Sequence, residues 1–243
     1  MTISNRMGGK ILADGLKAQG VELIFGVPGE SYLALLDGLY DQRETIRFIT
    51  CRQEGGAANM AEAYGKLTGQ PGICVVTRGP GAANASIGLH TAFQDSTPML
   101  LLVGQVGRQM QDREAFQEVN HGIFFSEMSK WSAEIRDPSR IPEYLNHAFH
   151  SALSGRPGPV VLSLPEDMLR EEAEVEDAPP AIPVQPAPAP EQIKQIREML
   201  LEAESPLMVL GGGGWNHEAC RIHTLFADQQ DLPVAVSFRC QDR

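Results

Sequence analysis

Short apolar segments alternate with helical segments along the first 165 residues, and this alternation most limits the possible folds. The segment 99–103 is apolar at every position, which is typical of a strand with both faces covered. Helices and strands are predicted from their periodicity at 11–19, 23–25, 31–40, 46–50, 56–67, 72–77, 80–93, 99–103, 141–153 and 159–164. Such alternation predicts an α/β fold of three layers, a parallel sheet with helices on both faces.

The composition changes after Arg170. Residues 171–190 are first acidic and then rich in proline, which predicts an extended linker because this composition cannot form a packed core. Two helices and two strands are then predicted at 192–203, 207–210, 218–229 and 234–238. They are too few for an independent α/β domain. The predicted organisation is a first domain over 1–170, a linker over 171–190 and the incomplete start of a second α/β domain over 191–243.

Charge and cysteine content argue against several classes of protein. The net charge of -11 disfavours nucleic-acid binding, because phosphates repel an acidic surface. No run of about 18 apolar residues is present, so no membrane-spanning helix is expected. The N-terminus lacks the apolar core of a signal peptide, and the four cysteines lack the CxxC spacing of a metal site. These features predict a cytoplasmic protein with reduced thiols and no metal ligands of its own.

The segment CRQEGGAANMAEAYGKLTG, residues 51–69, contains the first candidate catalytic residue. Glu54 follows a predicted strand and opens a predicted helix, at the sheet edge where α/β proteins bind ligands. Gly55 and Gly56 remove side chains beside it, which would let another molecule approach closely. On this motif alone a structural role is the more common one, because the helix dipole stabilises an acidic residue in the first turn.

Two glycine-rich turns are further candidates for ligand contact. Residues 77–81 join a strand to a helix whose amides could hold a phosphate, but the Lys-Ser/Thr ending of a P-loop is missing. The turn Gly211–Gly214 precedes Asn216, which stands where a dinucleotide fingerprint needs its last glycine. Taken singly, such turns are more often tight connections than binding sites.

Five segments together resemble one enzyme family. They are FGVPGE, RQEGGAANMAEAYGKLTG, VVTRGPGAANASIGLHTAFQDSTPMLLLVGQV, EAFQEVN and RPGPVVLSLPEDM. Their order and spacing are similar to those of the thiamine-diphosphate enzymes of the acetolactate synthase, pyruvate oxidase and benzoylformate decarboxylase group. The resemblance runs from Lys10 to Leu169 and resumes near Gly211. It implies the thiamine-diphosphate-binding fold and the N-terminal, pyrimidine-binding part of such an enzyme.

The resemblance implies a catalytic role for Glu54. At this position the family has a glutamate that exchanges a proton with ring nitrogen N1′ of the cofactor, which prepares the cofactor to attack a 2-keto acid. A carboxyl group suits the role because burial can raise its pKa enough for it to carry the proton. The implied cofactor-binding and substrate-side residues lie in three loops: Pro28, Gly29 and Glu30; Pro80 and Asn84; and Phe116 and Gln117. For the last two, packing in a surface loop is the alternative role.

The resemblance also implies parts that lie outside these residues. The family holds Mg²⁺ and the diphosphate through a Gly-Asp-Gly…Asn-Asn type of motif, which this sequence lacks. We therefore expect that a further domain supplies the metal ligands and that the chain alone is inactive. The family's active site forms between subunits, which implies a homodimer or homotetramer. FAD, the ligand that the Gly211–Gly214 turn could serve, is disfavoured by the incomplete second domain.

Three positions depart from the family pattern, so the reaction stays open among decarboxylation, carboligation and oxidation. Gln53 stands where many relatives have His, Arg78 where acetolactate synthases commonly have Ser, and Glu30 where Gly is frequent. His90 and His121 are interpreted as surface or packing residues.

The alternative function is non-catalytic. The chain would then be a dimerisation or assembly module, or a subunit that needs a separate diphosphate-binding chain. In an assembly module the small residues of the Glu54 segment would serve close helix packing; they are Gly55, Gly56, Ala57, Ala58 and Ala61.

Overall fold

Six parallel strands form the central sheet of the first unit in the computed structural model. The chain divides into two units, residues 1–183 and 184–243, and the described residues are 5–184, 186–238 and 240–241. Predictions that concern residues 1–4, 185, 239 and 242–243 lie outside the described residues. The predicted boundaries of the domains and of the linker stay predictions.

The strands of the first unit follow one another along the chain with helices between most of them. Its described residues contain β1 (Asn5–Met7), β2 (Leu23–Gly26), β3 (Arg47–Thr50), β4 (Gly72–Thr77), β5 (Met99–Gln105), β6 (Trp131–Glu134), β7 (Pro159–Pro165) and β8 (Glu172–Glu174). The sheet order is β3-β2-β4-β5-β7-β6, with every neighbouring pair parallel. β1 and β8 form a separate antiparallel pair, in which Arg6 lies opposite Ala173.

Helices cover both faces of the sheet. They are α1 (Gly8–Ala18), α2 (Leu33–Asp41), α3 (Glu54–Thr68), α4 (Arg78–Asp95), α5 (His121–Phe124), α6 (Ile141–Leu153) and α7 (Glu166–Arg170). One hydrophobic core lies between the sheet and α1, α2 and α6. A second core lies between the opposite face and α3 and α4. The predicted three-layer α/β fold is therefore confirmed.

The central strands show why both faces need a cover. Successive side chains of a strand point to opposite faces, so Val75 of β4 packs in the first core and Val76 in the second. In β5, Leu102 and Leu101 divide in the same way. All the residues of β5 are buried, as expected for a central strand of a covered parallel sheet.

Several elements differ from the prediction. The helix expected over 31–40 divides into a 3₁₀ turn at Glu30–Tyr32 and α2. The helix expected from Pro80 begins at Arg78, whose backbone is left-handed, with φ 41°. The pattern misses β6, which is short, only half-buried and placed at the sheet edge beside β7.

Part of the acidic segment packs along the first unit. Beyond β8, Asp177 forms an ion pair with Arg6 at 3.0 Å. The Pro179 carbonyl accepts a hydrogen bond of 2.9 Å from the side-chain amide of Gln19. Backbone and charged groups therefore anchor this segment, which explains how a stretch with few large apolar residues can still be fixed in place.

The second unit is small. Its described residues contain α8 (Pro190–Glu202), β9 (Met208–Leu210), α9 (His217–Gln230) and β10 (Val234–Val236). The two strands pair in parallel, with Val209 opposite Ala235. None of the residues of α8 is buried. In α9 the buried residue is Ala227. Two strands with so little burial make too small a core for an independent α/β domain.

The described helices include none that is long and apolar enough to cross a membrane. The four cysteines are all free thiols. Cys74, in the middle of β4, is fully buried, and the loss of solvation raises the pKa of its thiol well above the ordinary value. Such a thiol stays protonated and acts as a small apolar core residue.

Candidate functional site

The predicted site residues lie on segments that leave the same edge of the sheet. Residues 28–30 follow β2, Glu54 follows β3, residues 80 and 84 lie in α4 after β4, and residues 116–117 follow β5. All these strands are parallel, so their carboxyl ends meet at one edge, where α/β sheets bind ligands.

Glu54 is the first residue of α3. The helix is capped by Gln53, whose side-chain oxygen accepts the amide N–H of Gly56 at 2.8 Å. Gln53 thus has a structural role that glutamine can perform through its amide oxygen. Since Gln53 is the N-cap, Glu54 is the first residue of the helix. At this end the positive pole of the helix dipole stabilises a carboxylate.

Asn84 contacts the Glu54 carboxylate directly. Its side-chain Nδ2 donates a hydrogen bond of 2.9 Å to Glu54 Oε2. Glu54 is half-buried and Asn84 is exposed. The other oxygen, Glu54 Oε1, makes no hydrogen bond to the described residues. The arrangement therefore fixes the carboxyl group by one oxygen and leaves the second oxygen available for a ligand.

The two glycines after Glu54 differ in their surroundings. A Cβ on Gly55 would lie 3.1 Å from the backbone oxygen of Asn84, so this glycine lets α3 approach α4 closely. A Cβ on Gly56 would meet no atom of the chain within 4 Å. Residue 56 therefore faces open space, while residue 55 serves packing inside the chain.

The loop after β2 is tied to the end of β4. The hydroxyls of Ser31 and Thr77 lie 2.6 Å apart and share a hydrogen bond. A Cβ on Gly29 would lie 2.6 Å from Thr77 Cβ, so only glycine permits this approach. The buried Tyr32 hydroxyl donates to the Val27 carbonyl, and desolvation raises the pKa of that hydroxyl, which keeps it protonated as a donor. Pro28, between these contacts, is exposed.

Glu30 is engaged by a residue of the next loop. Its Oε1 lies 3.2 Å from Nη1 of Arg78, the residue where α4 begins. Pro80, two residues further on, is exposed. The same arginine reaches Glu166 at the start of α7 through Nη2, at 3.0 Å. The sequence indicates only that Glu166, like Arg78, follows a strand at its carboxyl end. Because Glu166 lies 88 residues from Arg78, the sequence does not indicate that the two are paired.

Phe116 and Gln117 lie on a loop that contacts the beginning of α4. The Gln117 carbonyl accepts the Gly79 amide N–H at 2.9 Å, and the backbone of Gln117 is left-handed, with φ 66°. Phe116 is 72% exposed, so its ring is largely open to solvent. The contact observed between this loop and the start of α4 is thus one of the Gln117 backbone.

A buried polar cluster supports this loop from inside. The Gln105 side-chain amide donates to the Val119 carbonyl at 2.8 Å. His121 is buried and its Nδ1 lies 2.6 Å from the Ser163 hydroxyl. Burial lowers the pKa of His121 to about 4, so the imidazole is neutral near pH 7. His121 is therefore a packing residue, one of the two roles expected for it, whereas His90 lies on the exposed side of α4.

The His121 environment predicts that stability falls in mild acid. The unfolded chain binds a proton at this imidazole below about pH 6.5, whereas the folded chain binds it below about pH 4. Folding stability is therefore unaffected above pH 6.5 and is lost as the pH drops towards 4. At 1.4 kcal/mol per pKa unit, the loss reaches roughly 3 kcal/mol at pH 4.

Urea unfolding at pH 7.5 and pH 4.5 measures this loss. Between these two pH values, the free energy of unfolding of His121→Gln should fall by about 2 to 3 kcal/mol less than that of the unsubstituted chain, since glutamine does not titrate. His90→Gln is the matched control, because it removes an exposed imidazole and should retain the full pH dependence. Equal pH dependence in His121→Gln and the unsubstituted chain would contradict the assignment.

Among the described residues, no group of three or more His, Cys, Asp or Glu side chains is placed to hold a metal ion. Two arginines near the sheet edge are paired with carboxylates. Besides Arg78, Arg108 binds Asp167 at 2.9 Å and also pairs with Glu171.

Comparison with known proteins identifies this region. Residues 6–123 match the family described as "Thiamine pyrophosphate enzyme, N-terminal TPP binding domain"; thiamine pyrophosphate is another name for thiamine diphosphate. The match includes the segments that carry Glu30, Glu54, Asn84 and Phe116. The six-stranded parallel sheet with helices on both faces is consistent with the fold of that family.

Individual relatives agree with the family match. An acetolactate synthase of Arthrospira platensis is 38% identical over 220 residues, which cover 85% of this chain and 37% of that protein. An acetolactate synthase large subunit of Lactococcus lactis is 36% identical over 93% of this chain and 40% of that protein. The acetolactate synthase isozyme 2 large subunit of Escherichia coli is 34% identical, over 85% of this chain and 37% of that protein.

The chain spans less than half the length of these curated relatives. The family match covers four of the six strands of the sheet, β2 to β5, and the predicted site residues that follow them. The prediction made from the five sequence segments is thereby confirmed. Residues 6–123 thus belong to the N-terminal TPP binding domain family, and the chain is similar to the N-terminal part of the acetolactate synthases.

Proposed function

We propose that the chain is the pyrimidine-binding half of a thiamine-diphosphate-dependent 2-keto-acid decarboxylase or carboligase, in which Glu54 activates the cofactor through N1′. The observation that carries this proposal is the position of the Glu54 carboxylate. It stands at the carboxyl edge of the sheet, is held by Asn84 through Oε2, and keeps Oε1 unpaired among the described residues.

The surroundings of Glu54 fit the pyrimidine half of the cofactor. Glu54 Oε1 makes no hydrogen bond to the described residues, so a ring nitrogen could bond to it. Pro28, in the loop after β2, and Pro80, in the first turn of α4, are both exposed, and each presents an apolar ring at the same edge. These residues would hold the pyrimidine by contact and by hydrogen bonds, without a metal.

The residues of this chain would hold and transfer one proton. Thiamine diphosphate, when bound, supplies an acidic thiazolium carbon and an electron sink for the decarboxylation of 2-keto acids. Glu54 would hold the proton between Oε1 and N1′, and Asn84 would keep the carboxyl group oriented through Oε2. Phe116, which is largely exposed, would contact the substrate or a partner chain together with Gln117.

The remaining parts of the proposal concern what lies outside this chain. The relatives are more than twice as long as the region matched, which supports a separate domain with the Mg²⁺ ligands and the diphosphate site. A homodimer or homotetramer in the cytoplasm would bring that domain against Glu54. We further propose that the chain alone does not turn over a 2-keto acid, and that FAD is not its ligand.

Cofactor titration by calorimetry tests the proposal. The 243-residue chain with Mg²⁺ should bind thiamine diphosphate with a Kd of about 1 mM or weaker, because the pyrimidine contacts alone supply few interactions. Joined to the diphosphate-binding part of the same enzyme, it should bind at least about 100-fold more tightly and release CO₂ from a 2-keto acid. Tight binding and turnover by the chain alone, or no gain on joining, would contradict the proposal.

A non-catalytic assembly module is the second candidate. Exposed apolar side chains on α3 and α4, among them Met60, Leu67 and Ile87, favour an interface on this face. Of the small residues of the Glu54 segment, Ala57, Ala58 and Ala61 are buried inside the chain, whereas Gly56 is exposed. An assembly module should form dimers, seen by light scattering, and should gain no cofactor affinity when the diphosphate-binding part is added.

A further inference from the structure

We infer that Arg78 is a positioning residue. Its ion pairs with Glu30 and Glu166 hold the loop after β2 in place against the start of α4, on the solvent side of the proposed cofactor pocket. The inference rests on the proposed function, because the loop that Arg78 restrains is the one proposed to contact the pyrimidine. The set formed by Glu30, Arg78 and Glu166 is called the Arg78 clasp below.

The clasp joins three separate segments at the carboxyl edge of the sheet. Arg78 Nη1 lies 3.2 Å from Glu30 Oε1, in the loop after β2. Its Nη2 lies 3.0 Å from Glu166 Oε2, at the start of α7 after β7. One guanidinium therefore connects segments that are 48 and 88 residues away from it in the chain. The planar fork of arginine can bridge two carboxylates in this way, whereas the single ammonium of lysine cannot do so with the same geometry.

The burial and backbone of Arg78 indicate that the clasp is built into the fold. The Arg78 side chain is 10% exposed, although arginine is usually a surface residue. Its Nε is buried and has no hydrogen-bond partner in the described part of the chain. The guanidinium is therefore held by its two terminal nitrogens, so that losing either carboxylate removes half of its charged partners.

The left-handed backbone of Arg78, with φ 41°, costs free energy for a residue with a side chain. Such strain persists where surrounding contacts compensate for it. Here the conformation lets the chain leave β4 and enter α4 while the side chain turns back towards both acidic partners. The two ion pairs supply the compensating contact.

The clasp acts on the pocket through the loop after β2. Ser31 and Gly29 fix the inner side of this loop on Thr77, and Glu30 fixes it to the adjacent residue, Arg78. Pro28 lies on the same turn and is itself exposed. Without the clasp, the loop keeps its attachment to Thr77 but loses the restraint on the side that faces solvent. A looser loop would order on cofactor binding, and affinity would fall accordingly.

Hydrogen exchange on the 243-residue chain tests the clasp without the cofactor. In Arg78→Met, which keeps much of the side-chain length and removes the charge, the amides of residues 29–32 should exchange at least about 10-fold faster. Glu30→Gln, an exposed and mild change, should give a smaller increase in the same amides. Arg108→Met is the matched control: it removes an arginine that also binds two carboxylates, Asp167 and Glu171, and it should leave residues 29–32 unchanged.

Cofactor binding to the complete enzyme tests the link to the pocket. Arg78→Met should raise the Kd for thiamine diphosphate about 10-fold and change kcat at saturating cofactor less than about 3-fold, because a positioning residue does not touch the reacting atoms. The double variant Arg78→Met, Glu30→Gln should bind like the single Arg78→Met variant, since both act through one contact. Arg78→Lys should restore only part of the affinity.

The outcomes separate this inference from the proposed function. Unchanged exchange in both Arg78→Met and Glu30→Gln overturns the clasp. Faster exchange with an unchanged Kd overturns the role of Arg78 in the pocket. The proposed function is then unaffected, because it is tested by thiamine diphosphate binding to the unsubstituted enzyme. An unsubstituted complete enzyme that binds no thiamine diphosphate overturns the proposed function, and the role of Arg78 in the pocket falls with it.

Discussion

Glu54→Gln is expected to lower the turnover of the complete enzyme at least 100-fold, because proton transfer by a positioned group contributes about 10²- to 10⁴-fold to a rate. Glutamine keeps the size of the side chain and an oxygen that can accept the Asn84 hydrogen bond. It loses only the ability to exchange a proton at Oε1. Steady-state decarboxylation of a 2-keto acid at saturating cofactor measures the effect.

Glu62→Gln is the control for Glu54→Gln. Glu62 lies on the same helix, is buried, and accepts a hydrogen bond of 3.0 Å from the Thr97 hydroxyl, which the glutamine oxygen can also accept. The same change of chemistry in the same helix should therefore leave turnover within about 3-fold of the unsubstituted enzyme. If both variants lost turnover equally, the effect would be one of folding and Glu54 would have no special role.

Gly72→Ala is expected to lower the free energy of unfolding by about 3 kcal/mol, the upper part of the range for overpacking a core. A Cβ at this position would lie 1.8 Å from the backbone oxygen of Ala61 in α3. A backbone atom in the middle of a helix cannot move aside alone, so the whole of α3 would have to shift away from β4. Thermal unfolding followed by circular dichroism should show a midpoint lowered by roughly 6 to 12 °C.

The matched control is Gly56→Ala, which adds the same methyl group in α3. This position is exposed and has no atom within 4 Å of the added Cβ. Because alanine favours a helix over glycine by about 1 kcal/mol, its stability should be unchanged or slightly raised. Equal midpoints for Gly72→Ala and Gly56→Ala would show that α3 is not packed on β4 as described.

Much of the fold follows from local patterns in the sequence. The apolar segment at 99–103 predicts a strand with two covered faces, and β5 is buried at every position. The strand-to-helix steps at Glu54 and at residues 77–81 predict that both segments lie at one sheet edge. Their hydrogen bond, from Asn84 to Glu54, is consistent with that placement because it joins the two helices that begin there.

The parts that the sequence does not predict depend on contacts between distant residues. β1 pairs with β8, so that Asn5 lies opposite Glu174, and no local periodicity encodes such a pairing. β6 is a short edge strand with half-buried residues, and its pattern resembles that of a loop. Each of these elements is defined by its partner rather than by its own sequence.

The same limit applies to the site. Arg78 and Glu30 are visible in the sequence as two separate departures from the family pattern, but their ion pair of 3.2 Å is visible only in the structure. Glu166 is neither a departure nor a neighbour in the chain, and its place beside Arg78 results from the order of strands in the sheet. His121 likewise hydrogen-bonds to Ser163, which lies 42 residues further along the chain.

Activation of the cofactor by Glu54 through N1′ should be visible before any substrate is added. It can be measured by NMR in the complete enzyme as exchange of the thiamine diphosphate C2 proton for deuterium, because no later chemical step intervenes. We expect exchange to slow at least 100-fold in Glu54→Gln and to stay near the unsubstituted rate in Glu62→Gln. Fast exchange retained in a folded, cofactor-bound Glu54→Gln enzyme would contradict it.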